Sequence, residues 1–169
     1  MLQIYTGTGK GKTTAALGVA LRGAGQGLKT IMFSFLKDDP EYGEAKAAKY
    51  LPGFILKQVG RDAFVNFRNP ATIDLKLCRE GWEEAKEAIL NRQADIIILD
   101  EMNIVLATDM LPLQEVADFL AQHKQAVEII LTGRGAPEKI IQIADLVTDM
   151  SEVKHYFHKG VSSRTGIDH

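Results

Sequence analysis

Sulfhydryl chemistry is almost missing from this 169-residue chain. Its one cysteine, Cys78, excludes an intrachain disulfide framework and any multi-cysteine zinc site, and a lone cysteine on an amphipathic segment reads as a small buried hydrophobe. Charge of one sign is also lacking. Twenty Lys and Arg against 22 Asp and Glu leave a formal net charge of −2, so there is no basic field for polyanions, and nucleic acid is not an expected partner. No apolar run approaches the roughly 20 residues that cross a bilayer, because the longest candidates, near Ile96 and Ile129, end in polar residues. A membrane span is therefore not expected. No charged-then-apolar signal segment precedes the first strand pattern, so the cytoplasm is the expected compartment. Linkers, repeats and low-complexity stretches are absent as well, and this length predicts one domain, residues 1–169, with a real core.

What is present starts at Thr6. The run Thr6-Gly7-Thr8-Gly9-Lys10-Gly11-Lys12-Thr13-Thr14 follows the apolar segment 2–5 and opens a helical pattern. Glycines let the chain fold so closely that successive N–H groups point at one anion. Lys12 adds a point charge, and the Thr13 hydroxyl is of the kind that ligates Mg²⁺. Loops of this type usually carry four residues between the first glycine and the Gly-Lys pair; here Gly7 and Gly11 enclose only Thr8, Gly9 and Lys10. A loop one residue short points to phosphate binding in an unusual register, so ordinary γ-phosphate hydrolysis does not follow from it.

Short apolar runs alternate with amphipathic segments along the chain, which predicts an α/β fold of parallel strands joined by crossover helices. Strands are expected at 2–5, 30–35, 54–58, 95–99 and 127–131, with an extended segment at 146–150. Helices are expected at 13–25, after a polar 38–52 stretch holding a short helix at 41–50, along the positions of Ile73, Leu77, Ala85 and Ile89, at 113–123, and from Pro137 onward. The loop at 60–71 is unusually apolar.

The strand at 95–99 finishes in Asp100-Glu101. Carboxylates at the carboxyl edge of a strand beside a phosphate loop supply hard oxygen ligands for Mg²⁺, directly or through water. Alone, such a pair suits a helix cap or a surface acid equally well; with the glycine loop upstream, the metal reading is favoured. Arg134 sits between Gly133 and Gly135 after another strand, where backbone freedom can bring its guanidinium to a phosphate. The plain alternative is a surface arginine in a turn. Phosphate contact is preferred because open parallel sheets bind ligands at the carboxyl ends of their strands, where all three elements meet.

With these segments in place, the chain resembles the ATP:corrinoid adenosyltransferases of the P-loop family, which make the cobalt–carbon bond of adenosylcobalamin. The matching stretches are Gly7 through Ala16, Ile98-Leu99-Asp100-Glu101-Met102-Asn103, Thr132-Gly133-Arg134-Gly135-Ala136-Pro137, Ala144 through Met150, and Val153-Lys154-His155. The short glycine loop and the Thr-Gly-Arg-Gly-Ala-Pro run are jointly specific to that family. The resemblance implies a P-loop NTPase-like (RecA-like), mostly parallel sheet flanked by helices. It implies attack of a cobalt(I) corrinoid on the 5′ carbon of ATP, with triphosphate leaving whole, and a nucleotide held in reverse relative to ordinary P-loop enzymes, which accounts for the odd loop.

Site residues follow from the same resemblance. Lys12, Thr13 and Arg134 are the expected catalytic residues. Gly7, Thr8, Gly9, Lys10, Gly11, Lys12, Thr13, Thr14 and Arg22 are the expected ATP contacts, with Arg22 nearly as well explained as a solvent-facing arginine. Thr13, Asp100 and Glu101 are the expected Mg²⁺ side. Phe64 and Phe67, in the loop before the long middle helix, are the expected corrinoid contacts, where aromatic rings occupy the lower corrin face and favour four-coordinate cobalt; core packing is the competing reading. The segment lacks the tryptophan of some relatives. The chain also enters its first strand without the capping extension some relatives have, so the expectation is either a more open site or cover for the corrinoid from 38–52 or a partner subunit. His155 reads as a structural histidine, and the tail from Lys159 to Ile167 either approaches the nucleotide or stays mobile. A flavin-based reductase such as flavodoxin and a homodimer are the further partners implied. The alternatives are a P-loop small-molecule kinase and a corrinoid- or ATP-binding protein without turnover.

Overall fold

The computed structural model describes residues 1–168. Six strands form one sheet: β1 (Leu2–Thr6), β2 (Thr30–Phe35), β3 (Phe54–Val59), β4 (Ile96–Asp100), β5 (Glu128–Thr132) and β6 (Leu146–Asp149). Their order is β3-β2-β4-β5-β1-β6, and every pairing is parallel. Helices α1 (Lys12–Ala24), α2 (Gly43–Ala48), α3 (Thr72–Leu90), α4 (Met102–Ala107), α5 (Leu113–His123) and α6 (Glu138–Ile143) make the crossovers, and a 3₁₀ turn spans Tyr156–Lys159.

Every residue of β2 and β4 is buried. A strand covered on both faces favours apolar side chains on both, and for that reason these segments read as near-continuous apolar runs, broken by Thr30, Ser34 and the terminal Asp100. Alternate residues then feed two cores. Phe33, Phe35, Ile97 and Leu99 pack with Trp82 and Ile89 of α3, Leu106 of α4, Leu120 of α5 and Ile140 of α6. Met32, Ile96, Ile98 and Ile130 pack on the other face against Ala16 and Ala20 of α1. Small residues on α1 let it lie close to the sheet: a Cβ on Gly23 would stand 2.9 Å from Ile96 Cδ1. Each large side chain so buried contributes roughly 1.5–3 kcal/mol. Removing Trp82, fully buried and edge-on to Phe119 at 5.3 Å between ring centroids, is the single change that would open the first core furthest, at about 3–5 kcal/mol.

One feature departs from the sequence expectation. Residues 102–107 form α4, although an apolar stretch that short carries no readable period. The break comes from Glu101, whose φ of 61° turns the chain sharply at the end of β4. The extended segment expected at 146–150 is β6, whose four residues are all exposed, so it is an edge strand held by its ladder to β1. Cys78 is buried as expected, and burial pushes its thiol up to about 12. Among the described residues, no helix is long and apolar enough to cross a membrane.

Candidate nucleotide and corrinoid site

The carboxyl ends of β1, β2, β4, β5 and β6 open on one side of the sheet, the side where parallel α/β sheets bind ligands. The phosphate loop leaves β1 there. Gly7, with φ 101°, presses against the end of β6: a Cβ would stand 2.2 Å from Asp149 Oδ1, so only glycine fits. The Gly9 N–H donates to the Met150 carbonyl at 2.7 Å. Gly11 caps α1 in the left-handed region, φ 115°, with no side-chain cap and no acid in the first turn. The N–H groups of that first helical turn have no intrahelical acceptor, and the helix dipole favours an anion in front of them.

Lys12 is folded into this loop, its ammonium donating to the carbonyls of Gly7 at 3.0 Å and Gly9 at 2.6 Å. Burial, and after it the Arg134 guanidinium, hold the Lys12 ammonium below its usual 10.5, while Glu101, Asp100 and Asp149 pull it up. Lys12 and Arg134 line the same cavity, and two cations brought to one cavity suit an anionic ligand. Arg134 itself is exposed and stands on the cavity wall. Its loop is set by contacts behind it: Asn103 Nδ2 donates to the carbonyls of Tyr5 and Gly133 at 3.2 and 3.1 Å, and the Ala136 N–H donates to Thr6 Oγ1 at 3.1 Å.

Asp100 is wholly buried and heavily solvated by protein. Its Oδ1 accepts from Thr13 Oγ1 at 2.8 Å and Thr132 Oγ1 at 2.5 Å; its Oδ2 accepts from Lys37 Nζ at 2.7 Å and Ser34 Oγ at 3.4 Å. Glu101, beside it, has one cation in reach, Lys37 Nζ at 4.0 Å. Burial, then the Asp100 charge, push the Glu101 carboxyl above its ordinary 4.5 despite Lys37, Lys12 and Arg134. These residues fit Mg²⁺. They offer one hydroxyl and two carboxylates, all hard oxygens, and among the described residues there is no three-ligand cluster of His, Cys, Asp or Glu. Mg²⁺ is typically held by one or two carboxylates plus substrate phosphates.

The cavity over these groups has a volume of about 720 Å³ and is walled by Lys12, Thr13, Glu101, Arg134, Phe67 and Tyr156, among others. A second hollow of about 680 Å³ shares Thr13, Thr14, Lys37 and Tyr42 with it and continues to Ile167. The C-terminal segment folds back over the phosphate loop. Asp168 accepts from Lys10 at 2.8 Å and Arg164 Nε at 3.1 Å and bonds the Tyr156 hydroxyl, while Lys10 also donates to the Ile167 carbonyl at 2.8 Å. Lys10 and Tyr156 together draw the Asp168 carboxyl well below its usual range.

Of the residues expected from sequence, Gly9, Lys10, Gly11, Lys12, Thr13, Thr14, Glu101, Arg134 and Phe67 line the cavity, and Asp100 lies directly behind Thr13. Gly7 shapes the loop from below. Thr8 turns away, exposed, its hydroxyl accepting the Glu152 N–H at 3.4 Å. Arg22 requires correction as an ATP contact: it occupies the last turn of α1, roughly 13 Å along the axis from Thr13, and outside the lining of the cavity. Phe64 is 90% exposed and also outside the lining, because the neighbouring Val65 takes the inward position. Residues the sequence reading passed over are Lys37, Tyr42, Tyr156, Phe157 and Asp168. His155, read as structural, is on the cavity wall. Lys37 had a partial signal: it is the first charged residue after β2, at the sheet edge where ligands bind.

A model of the family described as ATP:corrinoid adenosyltransferase BtuR/CobO/CobP matches residues 1–169. The chain belongs to the ATP:corrinoid adenosyltransferase family. Within it, the corrinoid adenosyltransferase of Escherichia coli K12 is 37% identical over 166 residues, 98% of this chain and 84% of that one. Corrinoid adenosyltransferase CobA of Salmonella typhimurium is 34% identical over the same shares. Among solved structures, this adenosyltransferase-family chain is similar in fold to the flagellar accessory protein FlaH from Methanocaldococcus jannaschii, with a TM-score of 0.57 at 13% identity, covering 88% of this chain and 69% of that one. EssC (ATPases 2 and 3) from Geobacillus thermodenitrificans gives a TM-score of 0.51 at 16% identity over 99% of this chain and 35% of EssC. Both likenesses are of fold alone.

Proposed function

We propose that this enzyme transfers the 5′-deoxyadenosyl group of ATP to the cobalt(I) of a corrinoid. Cobalt(I) brings an electron pair to the 5′ carbon, the bond from that carbon to the triphosphate oxygen breaks, and its electron pair leaves with intact triphosphate. The observation that carries this reading is a phosphate loop one residue short, placed at an uncapped helix N-terminus, in a cavity that also has aromatic walls. A triphosphate seated there as a leaving group needs stabilisation of charge, and no group positioned to attack its terminal phosphorus is required.

Lys12 supplies that stabilisation by exchanging the Gly7 and Gly9 carbonyls for phosphate oxygens, with Arg134 facing it from the β5 loop. Thr13, Asp100 and Glu101 would hold Mg²⁺, which when bound neutralises triphosphate charge. Asp100, by accepting the Thr13 proton, leaves the Thr13 oxygen lone pairs directed away from itself. Phe67 gives the corrinoid an apolar wall on the far side of the nucleotide, and Phe64, on the same loop, is free to turn inward over the corrin. Tyr156 and the tail behind it restrict water. A flavin-based reductase such as flavodoxin, a homodimeric assembly and a cytoplasmic location complete the proposal; they rest on the family and on the strongly reducing conditions that cobalt(I) demands.

Phosphorus NMR of an anaerobic reaction with ATP, Mg²⁺ and chemically reduced corrinoid tests it. Triphosphate and alkylcobalt in equal amounts are the expected products. ADP without alkylcobalt would instead make the protein a kinase, and bound ligands without either product would make it a carrier.

A further inference from the structure

Lys37 is placed by three separate features of the fold. Leu36, the residue before it, has a φ of 64°, a left-handed conformation that is costly for a residue with a side chain and that proteins keep where surrounding structure imposes it. The Leu36 N–H is fixed by the Val59 carbonyl at 2.7 Å. Gly60 then closes against the turn so tightly that a Cβ there would stand 2.4 Å from the Lys37 nitrogen and 2.7 Å from the Leu36 carbonyl carbon. The result bends the chain at the end of β2 back over the carboxyl edge, with the ammonium 2.7 Å from Asp100 Oδ2 and 4.0 Å from Glu101 Oε1. Glu101 carries the matching distortion on β4, φ 61°. Strain on both neighbouring strands thus converges on one lysine and two acids.

We propose that Lys37 is an exchangeable counter-ion of the Asp100–Glu101 pair, one that yields the acids to a divalent cation and then contacts the triphosphate. This rests on the reading of the site as one for Mg²⁺ and ATP. A lysine is suited to such an exchange because its charge is a point on a flexible four-carbon stem, unlike a guanidinium locked into a bidentate fork. A divalent ion held by Asp100 and Glu101 would repel an ammonium that now lies 2.7 Å from Asp100. The side chain is 20% exposed and lines both hollows beside Thr13 and Glu101, so release carries the charge into the ligand space. Triphosphate is the largest negative charge that space would hold. Glu44 on α2, Asp39 and Asp168 are further acids near this route; Glu44 and Asp39 lie toward the second hollow, and Asp168 is already held by Lys10, Arg164 and Tyr156. The exchange also gives order to binding: without nucleotide the ammonium already pairs with Asp100 at 2.7 Å, so a bare metal ion must displace it, whereas metal arriving with triphosphate provides both a replacement cation and a new partner for Lys37.

The test compares the wild-type protein with Lys37→Met and Lys37→Arg in two titrations: Mn²⁺ alone, followed by its electron paramagnetic resonance signal, and inorganic triphosphate in saturating Mg²⁺, followed by calorimetry. Lys37→Met is expected to bind Mn²⁺ alone about tenfold more tightly than wild type, since a cation next to the acids is gone. It should bind triphosphate about tenfold more weakly, since a phosphate contact is gone. Lys37→Arg should stay near wild type in the first titration. Unchanged or weakened Mn²⁺ binding in Lys37→Met overturns the counter-ion role, and unchanged triphosphate affinity overturns the phosphate contact. Asp100→Asn, titrated with Mn²⁺ and ATP together, separates the premises: if it binds metal as wild type does, the metal-side reading itself has failed; if it loses metal while Lys37→Met gains none, only the Lys37 inference has.

Discussion

The hydroxyl of Thr13 donates to Asp100 Oδ1 at 2.8 Å across 87 positions of sequence, tying the first turn of α1 to the end of β4. This bond fixes how the phosphate loop sits relative to the acids. Thr13→Ala removes one of the donors around Asp100 and leaves Thr132, Lys37 and Ser34 in place, so the stability cost should be about 1 kcal/mol. Activity should suffer far more, by on the order of 10²-fold in kcat/KM, and Thr13→Ser should restore most of it. Thermal unfolding and steady-state rates over a Mg²⁺ series separate the two effects; equal, small losses in both would reduce Thr13 to a packing residue.

Lys12→Ala should lose ~3–4 kcal/mol of transition-state stabilisation, the amount typical of one preorganised charge donor. The loss should appear in kcat at saturating ATP. If it appeared in KM alone, Lys12 would be binding ground state and transition state equally.

Phe67 and Phe64 separate by position. Phe67 packs partly against the core and lines the cavity, whereas Phe64 is 90% exposed. Phe67→Ala should slow adenosylation that starts from cobalt(II) about tenfold more than adenosylation of chemically prepared cobalt(I), because an aromatic wall matters most where cobalt must shed an axial ligand. Phe64→Ala should follow the same pattern only if the loop folds inward on corrinoid binding, and tryptophan fluorescence is blind to this, so the paired rates are the measurement. Equal losses in both assays would assign either ring to packing.

Glu101 sets a pH dependence of stability. Burial and Asp100 raise its folded-state value above the ordinary 4.5, so the folded protein holds that proton more tightly than the unfolded chain does. The stabilisation is complete below the ordinary value and is lost as pH rises through the folded one; at neutral and alkaline pH the ionised Glu101 weighs against folding. Glu101→Gln should therefore raise the melting temperature of nucleotide-free protein at about pH 8 by ~2–4 °C, the change that ~1 kcal/mol produces in a chain of this size. Near pH 4 the difference should vanish, and activity should fall at every pH. A variant less stable than wild type at alkaline pH would contradict the assignment.

Much of the site was legible because its chemistry is local. Nine consecutive residues spell the phosphate loop, β4 ends visibly in Asp100-Glu101, and glycines flank Arg134. The burial of β2 and β4 on both faces turns them into near-continuous apolar runs, and their alternation with amphipathic segments called for a parallel sheet. Strand order was not legible, since nothing in a strand's own sequence says that β4 lies between β2 and β5. Nor was the return of the tail, where Asp168 meets Lys10 from 158 positions away. Arg22 misled because a helix carries a residue away from the site at its N-terminus as fast as it adds turns. An irregular loop has no period to say which of Phe64, Val65 and Phe67 points inward, so the exposure of Phe64 was not legible. Lys37 was hidden by backbone: only the left-handed Leu36 and the bare Gly60 bring it over the acids.

One measurement bears most directly on the whole account: an anaerobic single turnover with cobalt(I) corrinoid and ATP isotopically labelled at the 5′ carbon, read by carbon and phosphorus NMR. The account predicts that the label becomes bonded to cobalt while triphosphate appears intact in the same amount. Label remaining in ADP or ATP, with phosphate or a phosphorylated acceptor as the new product, would contradict it.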